Sequence, residues 1–289
     1  MIQTEIALFC RNEAKGLALC VEQVCTHLEN LDPKFLPVKV HLLENGSSDH
    51  TAKVATQLAS ESHKNLPIEA HTGLPAGKSK TWNYFLSISQ APYLVFLDAD
   101  IQLGPTSLNL LLSKISQNPK LDIVGAAPAL APDFKAETFW HSVFALPYSA
   151  IAPAASIAGG TYVAKKDKLQ PMPEEVINED LYLSLKHEER FTILEQAPFY
   201  VSPPKDLKSF LAQRIRILRA DQKEQARYAH KNVKSHRRSG LRLIKQCYHE
   251  GGGLRTMAFL MARTAAGLQS RLGNTSSDSE GWLPSSRDH

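Results

Sequence analysis

Four short apolar-rich runs, at 6–10, 38–43, 68–71 and 93–97, alternate with stretches of helical apolar spacing within the first hundred residues. Strands separated by single helices assemble into a largely parallel sheet covered on both faces, so this alternation constrains the fold more than any other feature. Leu17, Val21, Val24 and Leu28 supply the first helical stripe, and Thr51, Val54, Ala55 and Leu58 the second. Trp82, Phe85, Leu86 and Ile88 mark a third, following the loop from Thr72 to Lys78. The expected class is α/β, a mostly parallel Rossmann-like sheet with helices on both faces. Ligands bind such sheets at the carboxyl ends of the strands, which places the loops around Glu13, Glu44, Gly77 and Asp98 on one rim.

The second half is less regular. A helix is expected over about 105–116, a strand near 123–126 and another over 159–164 that opens on Gly159 and Gly160. From Asp206 the pattern turns helical and basic to Lys245, then amphipathic over 254–272. Residues from Asn274 onward are rich in Ser, Asp and Gly and are expected to lack fixed structure. The chain therefore divides into an α/β domain over 1–204, a C-terminal helical region over 205–273 and a tail over 274–289.

Composition excludes few classes: 43% hydrophobic and 21% charged residues suit an ordinary soluble core. Residues 1–10 include Glu5 and no basic leading segment, so no secretory signal is read and a cytoplasmic protein is expected. Cys10, Cys20, Cys25 and Cys247 form no C-x-x-C pair, which points to packing in a reducing compartment. The uncharged stretch 138–164 is broken by Pro147, Pro153, Gly159 and Gly160 and is not expected to span a bilayer. The net charge of +4 is uneven, because residues 205–245 hold 13 Lys/Arg against three Asp/Glu. Such an arm meets phosphates on a ligand, on anionic lipid or on nucleic acid, or else is a solvated face; charge alone leaves these open.

Asp98 and Asp100 leave the end of the most apolar run and call for a counter-charge. A divalent ion of the Mg²⁺ or Mn²⁺ type, bridging to a diphosphate, supplies one. Two acids capping the following turn are the alternative.

The D-x-D pair has company. Arg11-Asn12-Glu13, the run from Glu44 to Asp49, Gly77-Lys78 with Asn83, Asp98-Ala99-Asp100, Gly159-Gly160, Asn178-Glu179-Asp180 and Gln213 to Arg216 occur in the order of family 2 glycosyltransferases. Over roughly residues 3–220 the chain resembles that family, which implies a glycosyltransferase A fold and transfer of a sugar from a nucleotide diphosphate with inversion. The resemblance implies Asp100 as principal metal ligand, Asp98 on the metal or the ribose, Glu13 and Glu44 beside the nucleoside, and Lys78 near the diphosphate. It implies Asp180 as general base, whereas the residues alone equally suit an acid starting a helix. Gln213 and Arg216 resemble the Q-x-x-R-W motif of cellulose, hyaluronan and ceramide glucosyl synthases, with Arg216 on the diphosphate.

Three departures shape the expectation. Ile217 replaces the motif's tryptophan, an aromatic platform of processive enzymes, so a single transfer is expected. Phe9 and Arg11 stand where relatives carry Pro and Tyr, and Glu44 stands where they carry Asp, which leaves the base open with UDP favoured over GDP. The acceptor, a glycan or a lipid-linked group, is not identified; Trp140, His141 and Tyr148 fall where relatives vary with it. A nucleotidylyltransferase lacks its glycine-rich first loop here, and a nucleic-acid binder would rest on the basic arm alone. A non-catalytic nucleotide-sugar or anionic-lipid binder is the remaining rival. Leu254, Met257, Ala258, Leu260, Met261 and Leu268 with Arg255, Arg263 and Arg271 suit either the inner face of a membrane or packing on the α/β domain.

Overall fold

The computed structural model describes residues 2–61, 66–149, 156–227 and 240–272. The segment called a tail lies outside them. An eight-stranded sheet runs in the order β3-β2-β1-β4-β7-β6-β8-β5. Its first four members, β1 (Thr4–Cys10), β2 (Val38–Glu44), β3 (Ile68–His71) and β4 (Tyr93–Asp98), are mutually parallel, as the alternating pattern requires. All seven residues of β1 are buried, which is why this central strand shows a continuous apolar run rather than alternation.

The other half is mixed. β7 (Tyr162–Lys165) runs antiparallel between β4 and β6 (Ile123–Ala129), and β6 is parallel to β8 (Phe191–Tyr200). A two-residue strand, β5 (Gln102–Leu103), closes the edge against β8 in antiparallel fashion. The expected strand at 159–164 starts late, because Gly159 and Gly160 form a turn at positive φ. β8 was not anticipated: Glu195 and Pro198 interrupt its apolar pattern, and its register with β6 jumps between Ala126 and Ala127.

Two cores flank the sheet. Ile6, Leu8, Val40, Leu42, Val95 and Leu97 pack under α1 (Leu17–Glu29), α2 (Thr51–Ser60) and α4 (Ser107–Gln117). Phe9, Leu43, Phe96 and Tyr162 pack under α3 (Lys78–Ile88) and α6 (Glu179–Lys186). A third cluster joins α5 (Phe139–Ala145), α7 (Leu207–Arg227) and α8 (Gly240–Leu272), where Phe144 and Phe210 stack at 4.0 Å. Gly252, at φ 68°, kinks α8, so the amphipathic stretch 254–272 forms its own helical arm. No helix among the described residues is long and apolar enough to cross a membrane.

Candidate active site

Strand register assembles the rim: Phe9 pairs with Asp98 and Cys10 with Glu44. The first two loops are laced together. Asn12 adopts a left-handed φ of 58°, which asparagine tolerates. Its N–H donates to Ser47 Oγ at 3.1 Å, while its Oδ1 accepts from the Ser48 N–H at 2.8 Å. The Glu13 N–H donates to Thr51 Oγ1 at 2.8 Å and the Ala14 N–H to Asp49 Oδ2 at 3.2 Å. Glu13 itself is buried.

Glu44 ties the second loop to the third. Its Oε1 accepts from the Ser47 N–H at 2.6 Å and its Oε2 from the Gly73 N–H at 2.9 Å. Burial pushes this carboxyl up, but the surrounding N–H donors outweigh it and hold the group below its ordinary range. Asn83, quoted with the Lys78 motif, is a structural clamp, since its amide makes paired bonds of 2.8 and 2.9 Å to the Met172 backbone.

Lys78 opens α3 and turns its ammonium inward onto two acids. Its Nζ lies 2.8 Å from both Asp98 oxygens and also pairs with Glu179. Burial works against the lysine's charge, yet Asp98, Glu179 and Asp180 raise it well above the usual value, so it stays protonated. Asp98 is raised by burial, opposed by Lys78 and reinforced by Asp100 and Glu179. Asp180 is pushed up to about 6, first by burial and then by Glu179, against Lys78 and the N–H groups of Gly160 and Gly159. One buried ammonium therefore faces Asp98, Glu179 and Asp180, and either protons on the raised acids or a further cation would relieve the remaining negative charge.

Gly160 makes this packing possible. At φ 58°, a Cβ there would lie 2.6 Å from Asp98 Oδ2 and 2.7 Å from Lys78 Nζ. Its N–H donates to Asp180 Oδ2 at 3.2 Å, whereas Asp180 Oδ1 is buried and has no hydrogen-bond partner among the described residues. Beneath the cluster, Phe96 stacks with Tyr162 at 4.6 Å and with Trp82 at 5.5 Å. The Trp82 indole N–H donates to the Tyr162 hydroxyl at 2.7 Å, giving the acids a rigid aromatic floor.

Among the described residues, no third carboxylate or imidazole joins Asp98 and Asp100 in a three-ligand cage. A magnesium-type ion does not need one, because it takes one or two carboxylates and completes its shell with water and substrate phosphates. Hard carboxylate oxygens and a charge deficit at a strand end fit such an ion.

The family model for glycosyl transferase family 2 matches residues 6–163. The chain belongs to that family. Its fold is shared with the mannosyltransferase PcManGT from Pyrobaculum calidifontis in complex with GDP-Man and Mn²⁺, at 17% identity and TM-score 0.61, covering 95% of this chain and 76% of that one. The mannosyl-3-phosphoglycerate synthase of Rubrobacter xylanophilus aligns at 17% identity and TM-score 0.52, over 82% and 78% of the two chains. S. aureus TarS 1-349 in complex with UDP-GlcNAc aligns at 13% and 0.50, over 93% and 89%. No curated protein matches the chain.

The family 2 match contains Glu13, Glu44, Lys78, Asp98 and Asp100, and ends before Asp180, Gln213 and Arg216. Beyond it, Asn178 caps α6 by accepting from the Leu181 N–H at 3.1 Å and donates to Asp221 on α7 at 2.7 Å. Glu224, also on α7, accepts from the Ile177 N–H at 3.2 Å. These contacts dock the basic helix beside the acids. Arg216 projects from α7 with much of its surface exposed; desolvation lowers its guanidinium, while the nearby Glu179 and Asp100 carboxylates raise it. Gln213 is exposed on the same helix.

In sequence, Glu179 has a place in the Asn178-Glu179-Asp180 motif but no role of its own, and Asp221 and Glu224 stay among the charges of the basic stretch. No local signal marks them, since acids in a basic stretch look like surface charges. Two residues considered for the acceptor side are engaged in packing. His141 is buried with its Nδ1 accepting from the Glu137 N–H at 3.2 Å, and Trp140 stacks on Phe144 at 5.5 Å. Tyr148 borders a cavity with Pro198 and Tyr200.

Proposed function

We propose that this chain transfers a single sugar from a nucleotide-diphosphate sugar to an acceptor hydroxyl with inversion, using Mg²⁺ or Mn²⁺. One observation carries the proposal: a buried Lys78 shared by Asp98 and Glu179, beside Asp180 with an unpartnered oxygen, at the carboxyl rim of a family 2 sheet. Asp98 and Asp100 would hold the divalent ion, which when bound would offset charge on the departing diphosphate.

The chain's own residues have distinct tasks. Lys78 and Arg216 bring positive charge to the diphosphate, and Gln213 borders it. Glu13 lies beside the nucleoside, and Glu44 holds the loops that the nucleoside meets. Asp180 accepts the acceptor's hydroxyl proton at Oδ1 as the acceptor's oxygen attacks the anomeric carbon from the face opposite the departing diphosphate. The α/β domain over 1–204 carries this chemistry and the helices of 205–273 complete it. Donor complexes of two fold neighbours, one with GDP-Man and Mn²⁺ and one with UDP-GlcNAc, support the substrate class.

Calorimetry with UDP, GDP and their sugars, with Mn²⁺ and with chelator, tests this. Binding is expected for one nucleotide, UDP before GDP, with loss in chelator and in Asp100→Ala. A folded protein that binds neither nucleotide overturns the proposal.

The acceptor side is proposed to meet a membrane surface. Leu254, Met257, Met261, Leu268 and Leu272 are 56–84% exposed. At about 100° per residue they fall within about 60° of one another on the helix, opposite the buried Phe259, Ala262 and Ala266. Arg271 lies about 40° beyond one edge of the stripe, whereas Arg255 and Arg263 lie off it; a cation beside an apolar stripe suits an anionic lipid interface. The protein is expected to float with vesicles containing anionic lipid, and Met257→Glu/Met261→Glu to remain in the soluble fraction; equal flotation of both, or of neither, removes membrane contact from the proposal.

A further inference from the structure

A second cluster of ligating groups lies at the outer edge of the sheet, on the face covered by α3. His41 on β2 is in register with Glu69 on β3, and His71 follows two residues on. His41 Nδ1 and His71 Nε2 are 3.0 Å apart, and each lies 3.7 Å from Glu69 Oε2. A triangle with those sides has a point about 2.0 Å from all three corners, which is the bond length zinc makes to imidazole nitrogen and carboxylate oxygen. We propose that His41, Glu69 and His71 bind a divalent transition ion of the zinc class, at a site separate from Asp98 and Asp100.

Three further observations support the site. The imidazole planes differ by only 22°, and the facing nitrogens of the two rings are turned into the gap between them. The remote nitrogen of His71 lies 2.9 Å from the Tyr84 hydroxyl, the kind of outer partner that orients a ligating imidazole. Burial holds His41 down at about 4, reinforced by Lys39 and His71, and it lowers His71 as well, so both rings are neutral at neutral pH; the hydrogen bond that joins their facing nitrogens would give way to the ion, with the His41 proton carried on Nε2. Two imidazoles with one carboxylate favour zinc, nickel, cobalt or copper over magnesium. Glu69 is half exposed, which leaves an entry path and a solvent position for a fourth ligand.

Lys39 is the competitor. Its Nζ lies 2.5 Å from Glu69 Oε2 and supplies the positive charge that an entering ion would replace. The side chain is flexible and partly exposed, so displacement needs no rearrangement of the sheet. His71 stands two residues before Gly73, whose N–H holds Glu44, so an ion here would stiffen the strand that leads into the donor-side loop.

The test is a Zn²⁺ titration of the full chain in excess Mg²⁺, which fills hard-oxygen positions and leaves imidazoles free. One strongly bound equivalent is expected. Glu69→Ala and His71→Ala should each weaken it at least about tenfold, and Tyr84→Phe by about tenfold as an outer-shell change. Lys39→Met should tighten it. Co²⁺ should give visible bands that His71→Ala abolishes. Glu69 and Lys39 are solvent-facing, so those two variants keep the test decisive even if a histidine variant unfolds. Unchanged affinity in Glu69→Ala and His71→Ala, or no zinc uptake by the folded wild type, overturns the proposal.

Discussion

Asp180→Asn is expected to lower kcat by about 10²–10⁴-fold, the usual range for a positioned general base, while leaving the fold and donor binding in place. The substitution is isosteric, and the cap of α6 does not depend on it because Asn178 supplies that bond to the Leu181 N–H. An asparagine oxygen can still accept from the Gly160 N–H. What is lost is the proton-accepting capacity of the buried, unpartnered Oδ1. The pH profile adds a second readout. Asp180 is pushed up to about 6, and a base works only when deprotonated, so kcat should rise with pH through about 6 and level off above it. That acidic limb should be missing from the residual activity of Asp180→Asn. A variant with wild-type kcat, or one with the same limb, would remove Asp180 from the proton transfer.

Much of this site was legible because its parts lie at strand ends. The run 93–97 is apolar enough to be a core strand, so the carboxylates that follow it had to emerge at a rim, and the register of Phe9 with Asp98 places them there. The parallel half of the sheet was equally plain, since each strand and helix in it is a local pattern. β8 was not, because its pairing with β6 absorbs a register jump and a proline that break any local period. The mixed direction of the second half depends on which strands meet across long separations in sequence, and hydrophobic spacing carries no such information.

Charge was read less well than apolarity. Residues 205–245 were counted as a basic arm, yet the acids within that stretch fix its position. Asp221 and Glu224 hold the turn before α6, and Asp206 accepts from the Ser209 N–H at 2.8 Å. Glu179 looked like an ordinary first-turn acid and became a partner of Lys78. A side chain's sign is visible in sequence, but its burial depends on the tertiary neighbours that remove water from it. Glu44 shows the same limit from another side: its position was legible, but the N–H groups of Ser47 and Gly73 that occupy it could not be foreseen.

Lys78→Met is expected to destabilise the protein by about 3–5 kcal/mol, the range found when one partner of a buried ion pair is removed. The lysine is 13% exposed at its side chain, and its partners Asp98 and Glu179 are 15% and 9% exposed. Methionine fills much the same volume, so little of the loss would come from a cavity; it would come from carboxylates left in a poorly solvated site without their shared cation. A surface pair would behave differently, since solvent takes over the role of the missing partner and the loss stays below about 1 kcal/mol. Thermal melts of Lys78→Met, Asp98→Asn and the double variant distinguish the two cases. If Lys78 neutralises Asp98, the double variant should be less destabilised than the sum of the two single changes, because removing the second charge relieves what the first left exposed. Strict additivity with a small effect of Lys78→Met would mean that the acids are solvated or protonated and that the charge deficit drawing a cation to Asp98 and Asp100 is absent.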